Sequence, residues 1–285
     1  IAQQSESASD QITAVALASD ASERLEVVSR LRTLSQQLAA ASCTYASGVL
    51  IEETRGVLSQ AKLDFDQYIS ALRDGDAALG VLAAETDRKI LHDIAQVEEE
   101  WALVASAVVS LLEDPSNVEQ ARFIDDHNLE LLALTNQLAS DVKGHYANPF
   151  QVSARDSIMI ELAGRQLMLT QKMAKDSCEI WSGYNVDAAR DDLLATMDVF
   201  KASLEALRFG LSSAGIPEAP FEAFAAKLDE LLLRWSTLQT PLDSQLNGAE
   251  LSDDQKGLIF HEFQVELADL KQLLSLYRDY AERNI

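Results

Sequence analysis

The chain has 285 residues, with 23 Lys and Arg against 46 Asp and Glu, giving a formal net charge of −23 and a sequence pI near 4.4. Nucleic acid is excluded as a partner and direct membrane insertion is not expected, because phosphate-rich surfaces call for a basic face. Hydrophobic residues make up 47%, enough for a buried core, while 11 Gly and 5 Pro are too few for the many tight turns of a sandwich or barrel, so the composition is all-α.

Periodicity predicts eight amphipathic helices, with apolar residues at i, i+3, i+4 and i+7. In chain order they fall at 8–47, 52–78, 82–113 and 117–143, then at 153–182, 186–213, 219–246 and 253–283. The fourth of each set opens on a capping box, Ser116-Asn117-Val118-Glu119 and Ser252-Asp253-Asp254-Gln255. Pro115, Pro149, Pro217 and Pro220 sit in predicted connections, whereas Pro241 is expected to end or kink the seventh helix. No apolar run reaches the roughly 18–20 residues that span a bilayer. Ile1-Ala2-Gln3-Gln4 has neither the basic nor the apolar region of a signal peptide, although Ala-Gln-Gln is a common start after Ala-x-Ala cleavage.

The chain repeats itself at an offset of 135. Between positions 30–48 and 165–183 there are 8 identities, Arg30/Arg165, Leu34/Leu169, Gln36/Gln171, Ala39/Ala174, Ser42/Ser177, Cys43/Cys178, Ser47/Ser182 and Gly48/Gly183. Further matches include Phe65/Phe200 and Arg73/Arg208, and a one-residue gap pairs Trp101 with Trp235. The predicted fold is therefore two tandem antiparallel four-helix bundles, residues 1–148 and 149–285, related by an internal pseudo-twofold.

The first helix of each unit carries two stripes. In the second copy Ile158, Leu162, Leu169 and Met173 form the face toward its own core, and Ile160, Gly164, Leu167, Gln171, Ala174 and Cys178 form a second seam. The matching seam in the first copy is Leu25, Ser29, Arg32, Gln36, Ala39 and Cys43. A second packed face predicts that the two first helices lie against each other, as in a homodimer fused into one chain. Arg32, Gln36 and Gln171 would then gather planar donors suited to a small flat anion. The competing reading pairs Arg32 with a nearby carboxylate and the two glutamines with each other. Arg30 and Arg165 point away from the seam, each with a Glu four residues earlier, Glu26 and Glu161, for an i,i+4 ion pair.

The segment Ile160-Glu161-Leu162-Ala163-Gly164-Arg165-Gln166-Leu167-Met168-Leu169-Thr170-Gln171-Lys172-Met173-Ala174-Lys175 resembles the INxAGRQRMLSQRMAK signature of PilJ-type sensor domains, and Leu25–Leu38 is a weaker copy. Those are the N-terminal domains of type IV pili methyl-accepting chemotaxis transducers, related to the nitrate/nitrite sensor kinases. The resemblance implies a periplasmic four-helix bundle that binds nitrate or nitrite between first helices. It carries over Arg32, Arg30, Arg165, Ser35, Thr170, Gln36 and Gln171, beside Ser29 and Gly164. Two departures stand out: the second copy has Leu167 where Arg32 stands, and the motif's Asn is Glu26 and Glu161. A symmetric pair of seam arginines is thus absent, and an asymmetric site around Arg32, a different ligand or lost binding remain open.

Cys43 and Cys178 hold equivalent seam positions and would meet if the first helices run parallel, forming either a disulfide or two packed thiols. No cofactor, metal site or enzyme activity is expected. The residues three before His92, His127, His145 and His261 are Lys89, Ile124, Val142 and Leu258, which denies the Glu-x-x-His of a di-iron bundle. The expected function is a periplasmic sensor module that takes a small oxyanion on the seam and relays to a membrane-bound signalling partner. The alternative is a helical adaptor for protein–protein interaction without a small ligand.

Overall fold

The structure, a computed structural model, describes residues 20–146 and 153–283. Among them are eight long helices: α1 (Ala21–Ala46), α2 (Ile51–Asp74), α3 (Arg88–Glu113), α4 (Val118–Tyr146), α5 (Ala154–Ser182), α6 (Val186–Phe209), α7 (Glu222–Leu246) and α8 (Asp253–Arg283). The described residues are all-α apart from two isolated β-bridges. The expected helix start at residue 8 and the expected boundary at 148/149 lie outside the described residues.

The helix ends follow local chemistry. Ser153 caps α5 by accepting the Asp156 N–H, and Asp87 caps α3 by accepting from Lys89 and Ile90. The Ser252 box forms reciprocally, with Gln255 N–H to Ser252 Oγ at 3.3 Å and Ser252 N–H to Gln255 Oε1 at 2.9 Å. At the other predicted box the Ser116 hydroxyl donates to Asp114 instead. Helices α2 and α6 stop earlier than the apolar pattern suggests, at Gly75 and Gly210, whose φ values of 84° and 78° no helix can hold. Equivalent bridges, Asp76 to Val81 and Leu211 to Ile216, close the turns that follow. Pro241 does not end α7, which runs five residues further to Leu246. Buried Leu238 and Leu242 hold that last stretch, and Gln245 anchors it to α5 by exchanging two hydrogen bonds with Ser177.

Helices α1–α4 pack as neighbours around one core and α5–α8 around another. Each core holds an equivalent aromatic pair, built from residues matched across the repeat: Phe65 stacks on Trp101 at 4.1 Å, and Phe200 meets Trp235 at 5.0 Å. The two cores are joined through α1 and α5, which pack against each other as well as against their own bundles. Both helices are consequently buried on nearly all sides; residues 173–179 of α5 form an unbroken buried run. Ala40 of α1 belongs to the second core and Phe260 of α8 to the first, so the halves interlock. Ile158, expected in the core stripe, is 42% exposed instead, and the adjoining Met159 is the buried residue at that level of α5.

One core carboxyl stands apart. Glu266 on α8 is 1% exposed, and neither of its oxygens accepts a hydrogen bond among the described residues. Arg234 Nε lies 3.5 Å away without bonding geometry. Burial pushes the carboxyl up to about 8, a rise that Arg234 only partly offsets. Because the folded state holds this proton more tightly than the unfolded chain, the contribution is full below the ordinary carboxylate range. It drains as pH climbs toward 8. Glu266→Gln should therefore melt like the parent near pH 4 and be more stable by about 2–4 kcal/mol above pH 8, read from thermal melts across pH.

Candidate functional site

The small residues of α1 and α5 set the geometry of the seam. A Cβ placed on Gly164 would lie 3.6 Å from Ser29 Oγ, and Cys43 is bonded to Cys178 with Cα atoms 6.1 Å apart. Both pairs are separated by 135 residues, so the two helices run parallel and in register. At about 1.5 Å of rise per residue, the Ser29–Arg32 segment lies roughly 16–21 Å along α1 from the bridge.

At the Ser29–Gly164 end, toward the start of both helices, the seam opens into a cavity of about 310 Å³ walled by α1, α4 and α5, with Arg278 of α8 at one side. Arg32 enters it from α1. Its guanidinium donates to Ser29 Oγ at 3.1 Å, while its Nε is buried without a hydrogen-bond partner among the described residues. Burial lowers the Arg32 pKa, offset in part by Glu161, with Arg165 adding repulsion. The charged lining is Arg32, Lys143, Arg278 and Glu161; Lys143 is paired with Glu161 and Arg278 with Glu26, which leaves Arg32 as the lining cation without an ion pair among the described residues. The floor beside Arg32 is apolar, from Leu25, Val28 and Ile160.

The other sequence-predicted residues are placed as follows. Gln36 and Gln171 do not meet across the seam. Gln36 donates to Asn128 of α4 at 3.1 Å, and Gln171 accepts from Gln264 of α8 at 3.1 Å, so each is held by the fourth helix of its own half. A cross-seam link does form one residue away, from Gln37 to Gln264 at 2.9 Å. The hydroxyls of Ser35 and Thr170 bond the carbonyls of Arg32 and Gln166 on their own helices. Arg30 pairs with Glu26 and with the Tyr68 hydroxyl on the opposite side of α1, and it lines a different cavity. Arg165 is exposed. The pair expected between it and Glu161 is replaced by an ion pair of Glu161 with Lys143 of α4, which approaches because α4 runs antiparallel to α5. Glu26 is bonded by both Arg30 and Arg278, so the two acidic departures from the motif are each neutralised by a cation.

Two members of the cavity, Lys143 and Arg278, were not legible as such in the sequence. Both come from fourth helices, and only the packing of α4 and α8 across the seam brings them near Arg32.

The family model described as "Type IV pili methyl-accepting chemotaxis transducer N-term" (PilJ) matches residues 14–126 and again residues 150–260. The chain belongs to the PilJ family. Each match contains one seam helix, so this PilJ chain carries the sensory N-terminal domain type of chemotaxis transducers twice over. Lys143 and Arg278 lie beyond the two matched segments. No curated protein matches the chain. Among the described residues no helix is long and apolar enough to cross a membrane.

At the far end of the PilJ seam the bridge borders a smaller cavity of about 240 Å³. Its wall includes Glu179, which is buried against Lys175 at 3.0 Å and pushed up to about 8, first by burial and then by the neighbouring Asp125. The bridge closes a loop of 135 residues between the halves. Intact mass without reductant should be two hydrogens below the free-thiol value. Reduction should lower stability by up to about 4–5 kcal/mol in the loop-entropy picture, measured by denaturant unfolding. A mass equal to the free-thiol value would contradict the parallel pairing of α1 and α5.

Proposed function

We propose that this PilJ chain is a periplasmic sensor module that takes up a small oxyanion, nitrate or nitrite, in the cavity at Arg32, Ser29 and Gly164. The observation that carries this reading is the buried Arg32 Nε without a hydrogen-bond partner, on the lining cation that has no ion pair among the described residues. An unmet buried donor costs about 1–3 kcal/mol, which a planar oxyanion accepting from the guanidinium would recover. Leu167 removes the second seam arginine, and Arg278, reaching over from α8, is the cation that stands in for it. Gly164 lets α1 and α5 approach closely at the edge of the cavity, since a Cβ there would already touch Ser29 Oγ. Gln36, Gln171, Ser35 and Thr170 act behind this shell, by fixing the rotation of α1 and α5. Arg30 and Arg165 belong to the flanks.

The disulfide supports an oxidising compartment. It also fixes one point of the seam, so an anion bound roughly 16–21 Å away would change the separation of α1 and α5 mainly at their N-terminal ends. A shift of that kind between packed helices is a known means of passing a signal to a membrane-bound partner. Nothing in the cavity resembles the nucleophile–base pairing of a catalytic site, and the reading is of a binding module, not an enzyme. The strongly acidic surface opposes anion approach, so the affinity is modest and salt-dependent.

Thermal melts with added nitrate or nitrite test the assignment. At 100 times the dissociation constant the folded state should gain about 2.7 kcal/mol, and Arg32→Ala should abolish the gain while leaving the fold intact. Melting temperatures indifferent to both anions would favour the adaptor reading, in which the seam is only packed.

A further inference from the structure

A second cavity, of about 320 Å³, lies beside the Arg32 site, shares Ser29 and Arg278 with it, and spans both halves, between α1 and α2 on one side and α5 and α8 on the other. Its charged lining sorts into two groups. Arg30 and Arg278 are both bonded to Glu26. Lys271, Asp64 and Asp279 are the remainder. Among the described residues none of the three has an ion pair, and Asp64 receives only the Gln60 amide, at 2.7 Å. Lys271 is solvent-accessible, and its ammonium is disfavoured by burial of its surroundings and by the like charge of Arg30, with Asp64 opposing. The rest of the wall mixes three leucines, Leu34, Leu167 and Leu274, with polar side chains, Thr33, Gln37 and Ser275 among them.

One ammonium and two carboxylates without ion pairs among the described residues, beside three leucine side chains, are the complement of a small molecule bearing both charges and a hydrocarbon tail. We propose that this cavity binds a zwitterion with an apolar side chain, of the class of leucine. Its carboxylate is received by Lys271, its ammonium by Asp64 and Asp279, and its side chain by the three leucines. The volume is at the low end of ligand cavities, about 300–1,000 Å³, which excludes a peptide of more than two or three residues. Phosphates and other multiply charged anions are disfavoured by the aspartates. Because the walls come from both halves, an occupant bridges α2 and α8 directly. This goes beyond the oxyanion reading and does not depend on it, since the groups that receive the zwitterion, Lys271 and the aspartates, do not line the Arg32 cavity; Ser29 and Arg278 border both.

Calorimetric titration of the full chain tests it, with L-leucine, 4-methylpentanoate, which lacks the ammonium, and 3-methylbutylamine, which lacks the carboxylate. L-Leucine should bind, each truncated analogue should bind at least about tenfold more weakly, and Lys271→Ala or Asp64→Asn should cost at least about tenfold. Both substitutions are at solvent-accessible positions, and a circular dichroism melt verifies that each variant is folded; Lys271→Met, which keeps the stem, should behave as Lys271→Ala does. Arg32→Ala should leave leucine binding unchanged, which separates this site from the oxyanion cavity. No heat with L-leucine up to about 10 mM would overturn the proposal, as would affinity that survives both substitutions. Equal affinity for 4-methylpentanoate would overturn the zwitterion assignment.

Discussion

The close, parallel approach of α1 and α5 is the contact on which the rest depends. It requires small side chains along two helices that also feed separate cores, and the positions supply them: Ser29 beside Gly164, Ala39 and Ala174 buried, and Cys43 bonded to Cys178. Once two helices are buried on both sides, any polar group between them must find a partner or carry a cost. Most do. Gln36, Gln171, Ser177 and Lys175 are all held by named neighbours. Arg32 Nε does not, and nor do Gln36 Oε1 and Ser42 Oγ among the described residues; of these, Arg32 is the one that carries charge and lines a cavity.

The halves match the same family model and differ at the seam. Arg32 faces a seam whose matching position is Leu167, and the cationic partner comes from α8. At the open end of the first half Arg24 is fully buried, bonded to Asp20 at 2.8 Å and to the Leu72 carbonyl at 3.3 Å, with Glu85 at 3.4 Å. Tyr146 donates to that same Glu85 at 2.7 Å and so ties the end of α4 to the clamp. The position 135 residues after Arg24 is Met159, buried and apolar. One half is thus pinned by an ionic knot and the other by packing. A pairing of unlike halves can hold one asymmetric ligand site, whereas identical subunits would present two copies of each group.

The fold was largely legible because helical periodicity and caps are local properties. Helices α5 and α8 end within a residue of their expected limits, since Ser153, Gly183 and the Ser252 box are unambiguous punctuation. The overshoot of α2 and α6 came from reading through Gly75 and Gly210, where backbone conformation outweighed the apolar pattern. Pro241 misled in the other direction, because burial of Leu238 and Leu242 compensates one lost backbone bond. The site was legible only in part. The α1 and α5 residues could be placed by spacing, but whether Gln36 turned to the seam or to Asn128 was a matter of a few tens of degrees of helix rotation. Lys143, Lys271 and Arg278 depend on how α4 and α8 cross the other half, and no periodicity within a single helix reports that.

A crystal structure of the chain grown in saturating nitrate examines the central claim at atomic level. The account predicts one planar anion per chain, within hydrogen-bond distance of the Arg32 guanidinium, beside Ser29 and Gly164, with α1 and α5 still bridged at Cys43 and Cys178. Separated first helices, or a seam in which Arg32 is bonded to a protein carboxylate and no anion enters, would contradict it.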